Sequence, residues 1–281
     1  GNDSMRTNTS GNYNTAYGSS ALRTNTTGGA NVALGYAAAR DLDGGNYNVV
    51  VGNGAGYNLG GSSNNILIGY GAGTDINSTD ADGTVAIGYQ AGANITSGRY
   101  NTAIGYNALD AEDDGDGNTA VGYQALTAQT GTSGIVGNTA VGYNAGQSIT
   151  TGVQNNAFGY TALAGTTTGG ANTGIGYEAG KFNQTGTANV FIGDQAGKGV
   201  FENSPGSNVG IGYRALLGIT NGSGNVVLGS YAADSLTSAQ NNVIIGSSAG
   251  ATMTTTSYTV LIGDNAGNDI NSTDAAGTVA I

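Results

Sequence analysis

The densest set of ionisable side chains in this chain is Asp110, Glu112, Asp113, Asp114 and Asp116, within Asp110-Ala-Glu-Asp-Asp-Gly-Asp-Gly117. Acids alternating with glycine can offer hard oxygen ligands to Ca²⁺. The stretch lacks the full twelve-residue calcium loop with its terminal Glu, and no nine-residue calcium-roll repeat accompanies it. It reads as a solvated acidic turn. The chain has no His and no Cys, which removes imidazole bases, nucleophilic triads and thiolate metal sites. A glycosidase would need two carboxylates facing one cleft beside aromatic rings, and regular repeats leave no such cleft. No residue is therefore assigned a catalytic, cofactor-binding or metal role. Asn25-Thr26-Thr27 fits a glycosylation acceptor, a pattern common by chance in a chain this rich in Asn and Thr.

The elements that would carry any site are set by a repeat. Asn101-Thr-Ala-Ile-Gly-Tyr-Asn-Ala108 returns as Asn118-Thr-Ala-Val-Gly-Tyr-Gln-Ala125 and as Asn138-Thr-Ala-Val-Gly-Tyr-Asn-Ala145. Aligned on its glycine, the motif occurs sixteen times from Gly1 to Gly263, and twelve of the fifteen intervals are 17 residues. A short Val- and Ile-rich run bounded by Gly, Asn and Thr reads as a strand. A fixed period of this length signals units that bury apolar surface only against their neighbours. The reading is all-β: a parallel β-solenoid of about sixteen coils, roughly 75–80 Å long at ~4.8 Å per coil.

Each column of the repeat has its own character. The residue before the glycine is apolar in all sixteen coils, and the residue two places earlier is Val or Ile in ten. These two share a face and are assigned to the coil interior. The residue between them is never polar: Ala in eight coils, Gly in two, and Val50, Leu67, Phe191, Val227, Ile244 and Leu261 in the rest. Assigned outward, that column needs a cover, and a second copy of the chain is the simplest one. Asn stands four before the glycine in thirteen coils, spaced for an amide ladder. Ala stands three after it in fifteen, which marks a tight corner. Tyr follows the glycine in nine; such rings can stack along the axis with wet hydroxyls, and sugar stacking is the functional alternative. Thr stands eight after the glycine in nine coils, which is β-propensity on a solvated strand or, were a second rank present, an ice-binding face.

Only 9% of residues are charged and the net charge is −11, a poor match to nucleic-acid phosphate. No charge falls in the four positions before any motif glycine. No 18-residue apolar run is present to span a membrane, and no signal peptide is visible at Gly1. The chain reads as one solenoid segment, 1–281, with enlarged coils at 69–88, 122–142, 193–212 and 263–281. Of these, Asp269–Ile281 matches Asp75–Ile87 at twelve of thirteen positions. Loops carry function more often than cores, so the enlargements are candidate contact surfaces. The pattern begins on a motif glycine and stops one place before the next, which suggests a piece of a longer protein.

The coil Asn-Thr-Ala-Ile/Val-Gly-Tyr-Gln/Asn-Ala-Leu, with Arg23-Thr-Asn-Thr-Thr-Gly28 after an early copy, resembles the repeats of marine bacteriophage tail fibres. It is also similar to the head repeats of trimeric autotransporter adhesins, whose Asn-Ser-Val-Ala-Ile-Gly motif matches Gly83-Thr-Val-Ala-Ile-Gly88 except at its first two residues. The resemblance implies a left-handed parallel β-roll, self-associated as a homotrimer, with the 17-residue coil making a third side or a wider turn. It implies a non-catalytic structural shaft of an extracellular or virion-surface fibre that meets a host glycan or protein receptor. Alternatives are a bacterial adhesin or filament, a solenoid polysaccharide depolymerase and an ice-binding protein.

Overall fold

The computed structural model describes residues 1–131, 133–201, 203–270 and 275–281. It is a parallel β-solenoid with ~17-residue spacing and no α-helix among the described residues. Contacts gather into two units, residues 1–138 and 139–281. The first carries strands Thr15–Tyr17, Val32–Leu34, Val49–Val51, Ile66–Ile68, Val85–Ile87, Thr102–Ile104 and Thr119–Val121. The second carries Thr139–Val141, Asn156–Phe158, Thr173–Ile175, Val190–Ile192, Val209–Ile211, Val226–Leu228, Val243–Ile245, Val260–Ile262 and Val279–Ala280. Within each unit every strand pairs in parallel with the next, like position on like position. Val49 faces Ile66 and Val51 faces Ile68; Val226 faces Val243 and Leu228 faces Ile245. Outside the strands the coil is mostly turns and bends, and the Thr column sits in bends and irregular backbone and not on a strand.

The motif glycine is required twice over. At Gly105 φ is +138°, and a Cβ would lie 2.3 Å from the carbonyl oxygen of Gly122 in the next coil. That φ lies in a region open essentially to glycine alone, and the clash is with backbone that cannot step aside.

The assignment of faces is the reverse of the sequence expectation. The middle residue of each strand points inward: Ala33, Val50, Leu67, Ala103, Phe191 and Ile244 are all fully buried. The flanking pair points outward: Ile66 and Ile68 stay 40% and 36% exposed on either side of Leu67. The reason is room. The strict Ala column, Ala21 through Ala249, is buried inside the same narrow coil, which cannot also take two β-branched chains per rung. The large middle residues, expected to need an outside cover, are the core itself.

The interior fills by compensation. Phe191, the largest fully buried side chain, lies where a Cβ at Gly197 would be 2.1 Å from its ring, and Cβ atoms at Gly180 and Gly210 would be 3.0 and 3.3 Å from it. Where the strand offers only Ala, as at Ala103 and Ala120, Leu109 and Leu126 enter from four places after the glycine. They do so in a left-handed backbone conformation (φ +53° and +51°). That conformation costs about 1–2 kcal/mol per residue, and a fully buried Leu returns about 1.5–3 kcal/mol.

The Asn column is the ladder its spacing suggests. The Asn48 backbone N–H and its Nδ2 both donate to Asn31 Oδ1, at 2.9 and 3.0 Å, and Nδ2 also donates to the Ser62 carbonyl at 3.0 Å. Asn172, Asn189, Asn208, Asn225 and Asn242 repeat this rung by rung in the second unit. Every one of them is buried. Thr259 continues it, its Oγ1 donating to Asn242 Oδ1 at 2.7 Å. Replacing Asn172 by Ala strands the Asn189 N–H and leaves the Gly186 carbonyl only a long bond from Asn183 Nδ2 at 3.5 Å, and a buried unpaired polar group costs about 1–3 kcal/mol. Asn172→Ala is expected to lose roughly 3–5 kcal/mol of stability, and Asn172→Thr about half as much because its hydroxyl can bond the rung below. Thermal unfolding followed by circular dichroism measures the order.

Candidate functional site

Two kinds of side chain could carry function: the ionisable groups of the turns and the outward apolar pair of each strand. The acidic stretch does not assemble as a ligand set. Glu112 turns into the coil and is fully buried. Its Oε1 accepts from the Asp113 and Gly115 N–H groups at 2.9 and 2.8 Å, and its Oε2 accepts from Asn118 Nδ2 at 3.2 Å. Burial pushes its carboxyl above the ordinary value, against those hydrogen bonds. Asp113 instead accepts from the Thr96 hydroxyl, and Asp116 from the Arg99 N–H at 2.8 Å. Among the described residues no group of three or more acids could hold a metal ion. The reading of this stretch as wholly solvated is corrected for Glu112. The signal was its place seven after Gly105, the column that holds the buried Leu42, Leu59, Ile76 and Ile95.

One charged cluster was not singled out from the sequence. Glu178, 7% exposed, holds Lys181 Nζ and Lys198 Nζ at 2.6 Å each and accepts from Gln195 Nε2 at 3.2 Å. Burial raises its pKa, but the hydrogen bonds and charges of the two lysines outweigh burial and hold it at about 2. Every group here is paired, which makes it a clamp between coils and leaves nothing poised for chemistry.

The other columns are tied to neighbouring coils. Tyr70, Tyr89, Tyr106 and Tyr123 stack with ring centroids 5.0–5.3 Å apart, and Tyr143, Tyr160 and Tyr177 with 5.2 Å. Each ring face meets the next ring, so sugars cannot stack within these runs. Thr9, Thr26, Thr167 and Thr220 donate their hydroxyls to a carbonyl of the next coil at 2.9–3.1 Å, so they do not stand free as an ice-ordering rank. The enlargement at 69–88 plugs the core with Ile76 and Ala81. The one at 122–142 adds the strand Gly134–Ile135 beside Gly115–Asp116; its Thr132 lies outside the described residues. The one at 193–212 exposes Phe201, edge-on to Phe182 at 6.4 Å. The one at 263–281 falls partly on residues 271–274, outside the described residues.

What remains open is the outward pair. In the first unit it presents Val32 and Leu34, Val49 and Val51, Ile66 and Ile68, and Val85 and Ile87 in register. In the second it presents Val190 and Ile192 through Val260 and Ile262. Leu34, Val49, Ile175, Val226, Ile245 and Ile262 each keep 37–40% of their surface in solvent. The face carries no charge. Each unit thus leaves a run of in-register aliphatic side chains partly in solvent, and a large exposed apolar patch marks an interaction surface more often than a monomer's ordinary face.

The Glu178 clamp has a pH signature. Its folded pKa of about 2 lies below the ordinary 4.5, so the pairing stabilises the fold fully above pH ~4.5 and is lost as pH falls through ~2. The melting temperature of Glu178→Gln is expected to fall furthest below that of the unaltered protein at pH 7, with the gap closing by pH 2. A gap independent of pH would contradict the clamp. No family model matches this chain, and no curated protein matches it either.

Proposed function

We propose that the chain is a structural shaft of an extracellular or virion-surface fibre, self-associating along its aliphatic face as a homotrimer and carrying attachment to a host surface, without catalysis. The observation that supports this reading most is the uncharged, in-register ribbon of Val, Ile and Leu side chains on the outside of the strands. Leaving it wet is costly at about 25 cal/mol per Å². A partner of the same chain matches it rung for rung, because its side chains repeat at the same rise. The placement of charge agrees: at −11 per chain copies repel one another, and the ribbon is where that repulsion is least local.

The resemblance to tail-fibre and adhesin-head repeats is consistent with the same reading. A coil clipped by buried amides, stacked Tyr rings and Thr hydroxyls suits a stiff element that resists proteolysis. Nothing in the Glu112 or Glu178 environments resembles two carboxylates across a cleft, which weighs against the depolymerase alternative.

Light scattering at micromolar concentration is expected to give about three times the 27.5 kDa chain mass. Ile68→Lys, Ile87→Lys and Ile104→Lys together place three charges on the ribbon without touching the core, and are expected to give a monomer with unchanged circular dichroism. A monomer from the unaltered chain would overturn the reading.

A further inference from the structure

The column five before the motif glycine holds Tyr13, Ala30 and Tyr47 in three successive coils. All three share one left-handed backbone conformation, with φ of 62°, 56° and 58°. The coils are locked in register there: the Ala30 N–H donates to the Asn12 carbonyl at 2.8 Å, and the Tyr47 N–H to the Gly29 carbonyl at 3.2 Å. Two tyrosines therefore stand one coil apart from touching, with only a methyl group between them. They are 92% and 67% exposed and wall a notch of about 230 Å³ whose polar lining includes Ser10, Asn12 and Thr27.

Spacing decides what fits. Tyrosines in adjacent coils stack at 5.0–5.3 Å. Two coils apart, side chains in one column lie roughly 10 Å apart at the ~4.8 Å rise. A flat ring seated midway would lie ~5 Å from each phenol, at the outer edge of face-to-face contact. A puckered pyranose is thicker, because its axial C–H groups project from both faces toward the two phenols and close the remaining gap to van der Waals contact. No charged side chain lines the notch, so an acidic sugar finds no counter-charge, while hydroxyl and amide groups can meet ring hydroxyls.

We propose that Tyr13 and Tyr47 sandwich a neutral hexopyranose over Ala30, making this notch a saccharide subsite. The proposal deepens the attachment reading by naming the class of receptor, and it is tested separately from assembly. It also explains why the Tyr70–Tyr123 run is not the sugar site: there, each coil supplies a ring and no gap is left.

The experiment is saturation-transfer NMR on the full chain with methyl β-glucopyranoside, methyl β-galactopyranoside and N-acetylglucosamine. Open-chain sorbitol and the planar base adenine serve as controls. Transfer to the ring C–H protons is expected for at least one pyranoside at millimolar concentration, and none for sorbitol. Ala30→Tyr places a third ring in the backbone conformation its two neighbours already hold, which closes the gap. Tyr47→Ala removes one wall and covers the case in which the first variant does not fold. Either is expected to cut transfer at least fivefold with the circular dichroism spectrum unchanged. No transfer to any pyranoside, transfer unaffected in the folded variants, or stronger transfer to adenine would overturn the proposal. A failed sugar titration leaves the light-scattering result standing, and a monomer by light scattering leaves the notch intact.

Discussion

The buried asparagine ladder is the constraint on which the rest of each unit depends. A three-residue strand is the only extended element a coil contributes, and the turn N–H groups, such as Leu22 to Ala38 and Ala37 to Ser19, pair one by one with carbonyls of neighbouring coils. Asn31 and Asn48 close the account of backbone groups at the bend before each strand, each taking an N–H and giving to a carbonyl of the next coil. Inside a protein such a bond is stronger than in water, and an unmade one is correspondingly costly. A slip of one residue would take each amide off the next and set Asn31 opposite Val49 and Asn48 opposite Ile66. The ladder thereby fixes register, and register fixes everything else that repeats.

Register is also what lets the core be so small. A coil buries at most a few large apolar side chains, up to three as with Leu216, Ile219 and Val227, and the sequence distributes them among three places. Leu67 enters from the strand with Gly73 opposite, Leu109 from the corner with Ala103 opposite, and Leu42 from farther round with Ala33 and Ala39 making way. Deleting a methyl from such an interior is felt because nothing flexible surrounds it. The aliphatic surplus goes outside, and the outward ribbon is a consequence of the narrow coil as much as a device for assembly.

Much of this was legible in the sequence. The period gave the solenoid, the Asn column gave the ladder, and the Tyr column gave its stacks, because identical residues at a constant interval leave one arrangement that places like on like. The direction of the strand faces was misread by weighing bulk over tolerance. The outward column admits Thr in five coils and Asn156 in one, whereas the middle column admits nothing polar; exclusion of polar groups, not size, marks the interior. Gly174 and Gly210 beside Phe191 in that column carried the same message. The Glu178 clamp was not legible, since Lys198 comes from the next coil and its reach depends on the shape of the corner. The Tyr13–Ala30–Tyr47 notch was visible as letters, but its meaning needed the exposure of the two rings and the rise between coils.

The claim beneath all of this is that windings 17 residues apart lie directly one above another. The chain has no Cys, so pairs of spin labels can be placed at will. Within the first unit, a label at Ser19 paired in turn with one at Tyr89, Tyr106 or Tyr123 spans four, five or six coils. Pulsed electron-spin distances are expected near 19, 24 and 29 Å, rising by ~4.8 Å per coil. Distances that fail to grow by one constant step per motif would contradict the account.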